Sequence, residues 1–136
     1  MRLADLLQAP HPDGEIEIAG ATADSRTLRP GDLFAALPGA QVDGRTFIAD
    51  AIAKGAAAIL APEGTAPCAG APMILDPDPR RRLALIAARL HAPAPKTVLA
   101  VTGTNGKTST AVFAEQLLSA AGRRAASMGT LGVSAP

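Results

Sequence analysis

The sequence predicts an α/β fold, and three observations carry that prediction. Short apolar runs alternate along the 136 residues with segments of helical period. A glycine-rich turn stands between one such run and one such segment, the strand–loop–helix order of an α/β unit. Hydrophobic residues make up 48% and charged residues 18%, enough apolar material for a core and unlike a disordered chain. The length is comfortable for one domain and short for two.

Leu3, Leu6 and Leu7 mark a short amphipathic helix that Pro10 and Pro12 end. Ile16 and Ile18 alternate with Glu15 and Glu17, the period of a half-buried strand. Arg29-Pro30-Gly31-Asp32 is a turn, and residues 33–37 read as a buried strand stopped by Pro38-Gly39. Residues 46–54 suit a helix with Phe47, Ile48, Ala51 and Ile52 on one side and Gly55 as its cap. Residues 56–61 form an apolar strand, and 62–72, with three prolines and two glycines, a loop. Residues 73–75 are a short strand. Asp78-Pro79 then starts a helix, with Asp as N-cap and Pro at the first position. Leu83, Ile86, Ala87 and Leu90 give its apolar stripe to about His91.

The prolines of residues 91–95 favour an extended linker and place a domain boundary between residues 92 and 93. Beyond it, 98–101 reads as a buried strand, and a helix follows from about 107 to 121. Its apolar face is Ala114, Leu117, Leu118 and Ala121, with Gly122 as cap. A last strand spans 125–128.

Several function classes are disfavoured by composition. Aromatic content is 2%, three Phe and no Tyr or Trp, which argues against base stacking on aromatic platforms. A net charge of +1 leaves no electrostatic footprint for nucleic acid or an anionic membrane. The single Cys68 excludes an internal disulfide framework and a multi-cysteine metal site, and points to a reducing, cytoplasmic setting. The apolar stretches are too short to span a membrane, and Asp5, Asp13, Glu15 and Glu17 interrupt the start before a secretory signal could develop.

The strongest motif is Val101-Thr102-Gly103-Thr104-Asn105-Gly106-Lys107-Thr108-Ser109, between a strand and a helix. Glycines permit positive φ and let backbone N–H groups converge on an anion. The helix N-terminus adds unpaired donors and a partial positive charge. Lys107 supplies a full charge to the β- and γ-phosphates of ATP, and the Thr108 hydroxyl is placed to hold Mg²⁺. The general pattern G-x-x-x-x-G-K-[ST] wants glycine where Val101 stands, so this is a shortened form.

That loop, as Thr102-Gly103-Thr104-Asn105-Gly106-Lys107-Thr108, resembles the ATP site of the Mur ligase family; alone it would also admit folylpolyglutamate and cyanophycin synthetases. Upstream, Asp24-Ser25-Arg26, Arg29-Pro30-Gly31-Asp32-Leu33-Phe34, Gly39, Asp43-Gly44-Arg45-Thr46-Phe47 and Gly55-Ala56-Ala57-Ala58 resemble the N-terminal domain of the MurE and MurF branches. The threonine after Gly103, and Met128-Gly129-Thr130-Leu131-Gly132, favour the MurE branch.

The resemblance implies a small mixed-sheet first domain, residues 1–92, that holds the UDP end of the substrate. Residues 93–136 then begin a central ATP-binding domain of Rossmann-like P-loop type, contributing its first β-loop-α unit. It implies an ATP-dependent ligase that forms an amide bond in peptidoglycan synthesis, adding a third amino acid, usually meso-diaminopimelate, to UDP-N-acetylmuramoyl-L-alanyl-D-glutamate. ATP phosphorylates the D-glutamate carboxylate and the amino acid's amine attacks the acyl phosphate. Ala23, Ser25, Ala40, Gln41 and Val42 fall where the family contacts the uridine nucleotide, and Gly103, Thr104, Asn105, Gly106, Lys107, Thr108 and Ser109 carry over as the ATP loop. Lys107 and Thr108 take the catalytic roles, with Thr108 on the metal. The family's remaining metal and amino-acid sites fall beyond residue 136, so the chain alone is expected not to catalyse the reaction. The expected partners are the UDP-sugar dipeptide and an amino acid, with no nucleic acid or membrane and a monomeric parent enzyme.

Two other readings stay open on sequence: a MurF-type ligase adding D-alanyl-D-alanine, and a non-catalytic UDP-sugar-binding module. Asp24-Ser25-Arg26 also fits a plain turn. Arg80-Arg81-Arg82 reads as a solvated helix start, His11 and His91 as surface residues, and Cys68 as an incidental thiol.

Overall fold

Alternating side chains along the short strands decide the architecture. In a computed structural model describing residues 1–39 and 42–136, the chain divides into two units, Met1–Ala94 and Pro95–Pro136.

The first unit is built on four strands, β1 (Ala21–Thr22), β2 (Leu33–Ala35), β3 (Ala58–Pro62) and β4 (Met73–Asp76), paired in chain order and parallel throughout. Registers such as Phe34 with Ile59 and Leu60 with Ile74 put like faces together. Leu33, Ala35, Ala58, Leu60 and Ile74 point to one face, where they pack with Leu3, Leu6 and Leu7 of helix α1 (Leu3–Leu7) and Ile86 of helix α3 (Pro79–Leu90). Phe34, Ala36, Ile59 and Ala61 point to the other, under Ile48 and Ala51 of helix α2 (Ile48–Ala53). Both faces are thus covered, which is what a parallel sheet needs. The α/β class is as expected. Among the described residues, antiparallel pairing in this unit is confined to the isolated bridges Arg2–Glu17 and Pro38–Asp43.

The local chemistry explains the helix ends. Asp78 accepts from the Arg81 N–H at 3.1 Å and Pro79 opens α3, the start read from the sequence. A 3₁₀ turn (Gly44–Phe47) leads into α2, capped by Asp43 accepting from the Arg45 N–H. At the other end, Gly55 takes φ 87°, its N–H donates to Ile52 O and that of Ala56 to Ala51 O, a Schellman stop. The arginines of α3 hold α1: Arg82 reaches Leu7 O, and Arg89 donates to Leu6 O and, at 2.9 Å, to Gln8 Oε1. Cations thereby satisfy carbonyls at the end of a helix too short to be stable alone.

Two expected strands differ. Ile16 and Ile18 do face the core, but 15–18 forms a single bridge, because its neighbour, residues 1–3, turns at once into α1. The strand expected over 33–37 ends at Ala35, where the Leu37 N–H turns back to Ala35 O at 3.0 Å.

In the second unit, helix α4 (Lys107–Ala120) packs on a hairpin of β5 (Ser127–Gly129) and β6 (Gly132–Ser134). Arg123 N–H to Leu118 O and Gly122 N–H to Ser119 O close α4 in the same Schellman form as α2. The expected buried strand over 98–101 is not formed: Val98 and Leu99 are exposed and pair with no neighbour among the described residues. A strand exists only through its partners, and the sheet of this unit is the two-stranded hairpin. The helix face also differs. Ala111, Val112 and Glu115 line the hairpin side, while Leu117 and Ala121 are exposed, because so narrow a hairpin covers one edge of the helix.

Candidate functional site

Two places gather the residues singled out from the sequence, one in each unit. In the second, residues 101–106 form an exposed, irregular loop that runs straight into α4. Gly103 (φ 145°) and Gly106 (φ 75°) take backbone conformations that L side chains avoid. At neither position does a neighbour crowd the place a Cβ would take, so glycine is there for conformation and not for space.

Gly106 is the N-cap of α4 and offers no side chain to cap it. The first helical bond runs from the Thr110 N–H to Gly106 O, so the N–H groups of Lys107, Thr108 and Ser109 have no partner within the helix. The Lys107 ammonium folds back over the loop onto Gly103 O at 2.5 Å and Thr104 O at 3.2 Å. The Thr108 hydroxyl lies 3.2 Å from that of Thr130, in the turn of the hairpin. Backbone donors, one cation and two hydroxyls therefore lie together around the start of α4. This donor set suits a polyphosphate.

Glu115, two turns beyond Thr108 on the same face of α4, accepts from Ser127 Oγ at 2.5 Å and Ser134 Oγ at 2.8 Å. The Ser127 bond first, then the Ser134 bond, holds its carboxyl below the usual range. Neither this bracket nor Thr130's proximity to Thr108 was visible in the sequence. The cross-strand pairing of Ser127 with Ser134 is what puts both hydroxyls on one carboxylate.

In the first unit, Ala23 and Ser25 follow the carboxyl end of β1, and Val42 lies in the loop after β2. Ala40 and Gln41 lie outside the described residues. Loops at the carboxyl ends of parallel strands are where open α/β sheets take ligands. Both loops close in the same way. Asp24 Oδ1 accepts from the Arg26 N–H at 2.9 Å while Arg26 Nη2 meets Asp24 Oδ2 at 2.6 Å. Asp43 repeats this with Arg45, at 3.0 Å and 2.5 Å. The arginine side chain, then its backbone N–H, lowers each carboxyl, that of Asp24 to about 2. Ser25, half-buried, sits inside the first closure.

Beside these loops a cavity of about 580 Å³ opens between the 3₁₀ turn with α2 and the loop after β3, lined by Arg45, Ile48, Ile52, Thr65 and Cys68 among others. The half-buried Cys68 donates its backbone N–H to Met73 Sδ at 3.3 Å. The triple arginine is not uniformly solvated: Arg80 donates to Pro38 O at 2.5 Å and Arg82 to Asp76 Oδ2 at 2.6 Å. No group of three or more His, Cys, Asp or Glu that could hold a metal occurs among the described residues. No helix among them is long and apolar enough to cross a membrane.

A family model described as Mur ligase family, catalytic domain, matches residues 17–91, more than half of the chain. The chain belongs to the Mur ligase family. The match lies in the first unit and stops short of the glycine loop.

Among curated relatives of this Mur ligase chain, the UDP-N-acetylmuramoyl-L-alanyl-D-glutamate–2,6-diaminopimelate ligase of Caulobacter vibrioides is 54% identical over 132 residues, 97% of this chain. The chain spans 27% of that relative's length. A solved structure of a ligase of the same name superposes with a TM-score of 0.81 at 30% identity, over 99% of this chain and 28% of its own. The MurF ligase of Thermotoga maritima, in complex with ADP, follows with a TM-score of 0.64 at 31% identity, over 88% of this chain and 25% of its own.

Proposed function

We propose that the chain is an N-terminal portion of an ATP-dependent ligase of the MurE type. Such an enzyme joins a third amino acid, meso-diaminopimelate in this reading, to UDP-N-acetylmuramoyl-L-alanyl-D-glutamate during peptidoglycan synthesis in the cytoplasm. The observation that carries the reading is the loop from Gly103 to Ser109, with its lysine turned over its own carbonyls at the mouth of a 14-residue helix. Supporting it are the family match and the higher likeness to the diaminopimelate ligase than to the MurF ligase, 0.81 against 0.64 in TM-score.

Residues 1–92 serve as the UDP-substrate-binding domain in this reading, and 93–136 open the ATP-binding domain. Ala23, Ser25, Ala40, Gln41 and Val42 contact the uridine nucleotide. Ser25 and Gln41 can do so by hydrogen bonds; Ala23, Ala40 and Val42 offer only backbone and van der Waals surface. The N–H groups at the start of α4 and the loop from Gly103 to Gly106 hold the ATP phosphates. Lys107 exchanges the Gly103 and Thr104 carbonyls for phosphate oxygens, a stronger, charge-assisted bond.

The donor set fits Mg²⁺ arriving with the nucleotide. Mg²⁺ keeps waters and substrate phosphates as ligands and asks little of the protein, and the Thr108 hydroxyl is the ligand this chain offers. The ion, when bound, neutralises phosphate charge. What the chain's residues do is bind and orient the triphosphate, since phosphoryl transfer is mostly positioning and charge neutralisation. A monomeric parent enzyme is part of the same reading.

The test is calorimetric titration of the 136-residue chain with UDP-N-acetylmuramoyl-L-alanyl-D-glutamate and, separately, with ADP and Mg²⁺. The reading expects each ligand to bind at one site. Absence of binding by the UDP-sugar would overturn the assignment of the first unit; absence of binding by ADP would overturn that of the loop.

A further inference from the structure

The two substrate loops of the first unit are closed locally by their Asp–Arg pairs, but a local closure fixes a loop's shape and not its place above the sheet. Two longer contacts supply the place. Lys54, at the C-cap of α2, donates from Nζ to Ser25 O at 2.9 Å, across 29 residues of sequence. Its ammonium is steadied from the same helix by Asp50 Oδ2 at 2.8 Å. Arg80, in the first turn of α3, donates from Nη2 to Pro38 O at 2.5 Å, across 42 residues.

Each cation thus ties a helix to one carbonyl in a different loop, the first following β1 and the second following β2. Neither helix contributes a residue expected to touch the nucleotide. We infer that Lys54 and Arg80 are positioning residues, which hold the backbone at Ser25 and at Pro38 where a uridine nucleotide requires it. This inference rests on the reading that these loops take the UDP end of the substrate.

The chemistry favours a holding role over direct contact for Lys54, because its charge is already balanced by Asp50 and its remaining reach is spent on a backbone carbonyl. A cation on a neutral carbonyl makes a charge-assisted bond, stronger than a neutral one. Ordering the loops beforehand lowers the entropy that binding must otherwise overcome. The sequence hides both roles. Lys54 looks like the end of an amphipathic helix, and Arg80 like one of three solvated arginines.

The experiment uses the whole 136-residue chain and compares Lys54→Met and Arg80→Met with Lys54→Arg and Arg80→Lys. Affinity for UDP-N-acetylmuramoyl-L-alanyl-D-glutamate is read by calorimetry, amide hydrogen exchange in residues 24–27 and 38–44 by NMR without ligand, and folding by thermal midpoint. Each Met variant is expected to weaken binding by about fivefold and to speed exchange in its own loop, and each conservative variant to restore both to within about twofold. Midpoints stay within about 2 °C, as for other surface changes.

Variants that bind as tightly as wild type would overturn the positioning role while leaving the loop reading intact. Weaker binding with unchanged exchange would make the cation a direct ligand contact and overturn it equally. A wild-type chain that takes up no UDP-sugar would overturn the loop reading and the inference together.

Discussion

The Lys107 ammonium donates to the carbonyl oxygen of Gly103 at 2.5 Å, so the glycine loop is closed by the lysine that follows it. Gly103 and Gly106 bracket that closure in unusual conformations, φ 145° and 75°. Replacing Gly106 by Ala meets no steric neighbour, so the cost is conformational alone. We expect Gly106→Ala to destabilise the loop by about 1 kcal/mol and Gly106→Val by more, with Gly106→Asn the mildest. Affinity for ADP with Mg²⁺ should fall in the order Asn, Ala, Val, by calorimetry.

Phe34 is fully buried between the sheet and α2. Phe34→Ala should cost the first unit about 3–5 kcal/mol, measured by urea unfolding, because the transfer loss and the cavity add. Phe34→Leu should recover much of that. The second unit's hairpin lies outside this core, and its amide exchange serves as the internal control.

Buried Asp76 is pushed toward a higher pKa by its burial, but the Arg82 guanidinium at 2.6 Å and the Asp78 N–H at 2.8 Å outweigh this and hold the carboxyl below its ordinary value. A folded value below the unfolded one, about 3.9, means that the stabilisation is fully present above that pH. It is lost as the pH falls through the folded value. Urea unfolding at neutral pH should show Asp76→Asn less stable by about 1–3 kcal/mol. Below about pH 4 the two proteins should converge. A constant gap down to pH 2 would remove Asp76 from the acid response.

Glu115 owes its lowered carboxyl first to Ser127 and then to Ser134. In a carbon-13 titration the Ser127→Ala variant should move that carboxyl up toward its ordinary value, and the Ser134→Ala variant by less. The readout is the titration itself.

Where segments carry their own geometry, the sequence discloses them. Asp78-Pro79 names the start of α3, Gly55 and Gly122 name two Schellman stops, and the unbroken apolar run at Leu33, Phe34 and Ala35 marks a strand buried on both faces. The glycine loop was legible for the same reason, since φ and the lysine's spacing are local properties. What failed depended on partners. Val98 and Leu99 have strand character but no neighbouring strand among the described residues, and Ile16 and Ile18 meet a partner that is already turning into a helix. Contacts such as Lys54 to Ser25 O and Arg80 to Pro38 O join residues 29 and 42 apart, and no periodicity reports them.

The central claim is that the chain carries a nucleotide-phosphate loop in one unit and a separate UDP-sugar site in the other. Parallel calorimetry on wild type and Lys107→Ala tests it most directly, titrating ADP with Mg²⁺ and then UDP-N-acetylmuramoyl-L-alanyl-D-glutamate. The account predicts that Lys107→Ala weakens ADP binding by about tenfold or more, the loss of a charge-assisted bond, and leaves UDP-sugar affinity within about twofold. Unchanged ADP affinity, or an equal loss for both ligands, would contradict it.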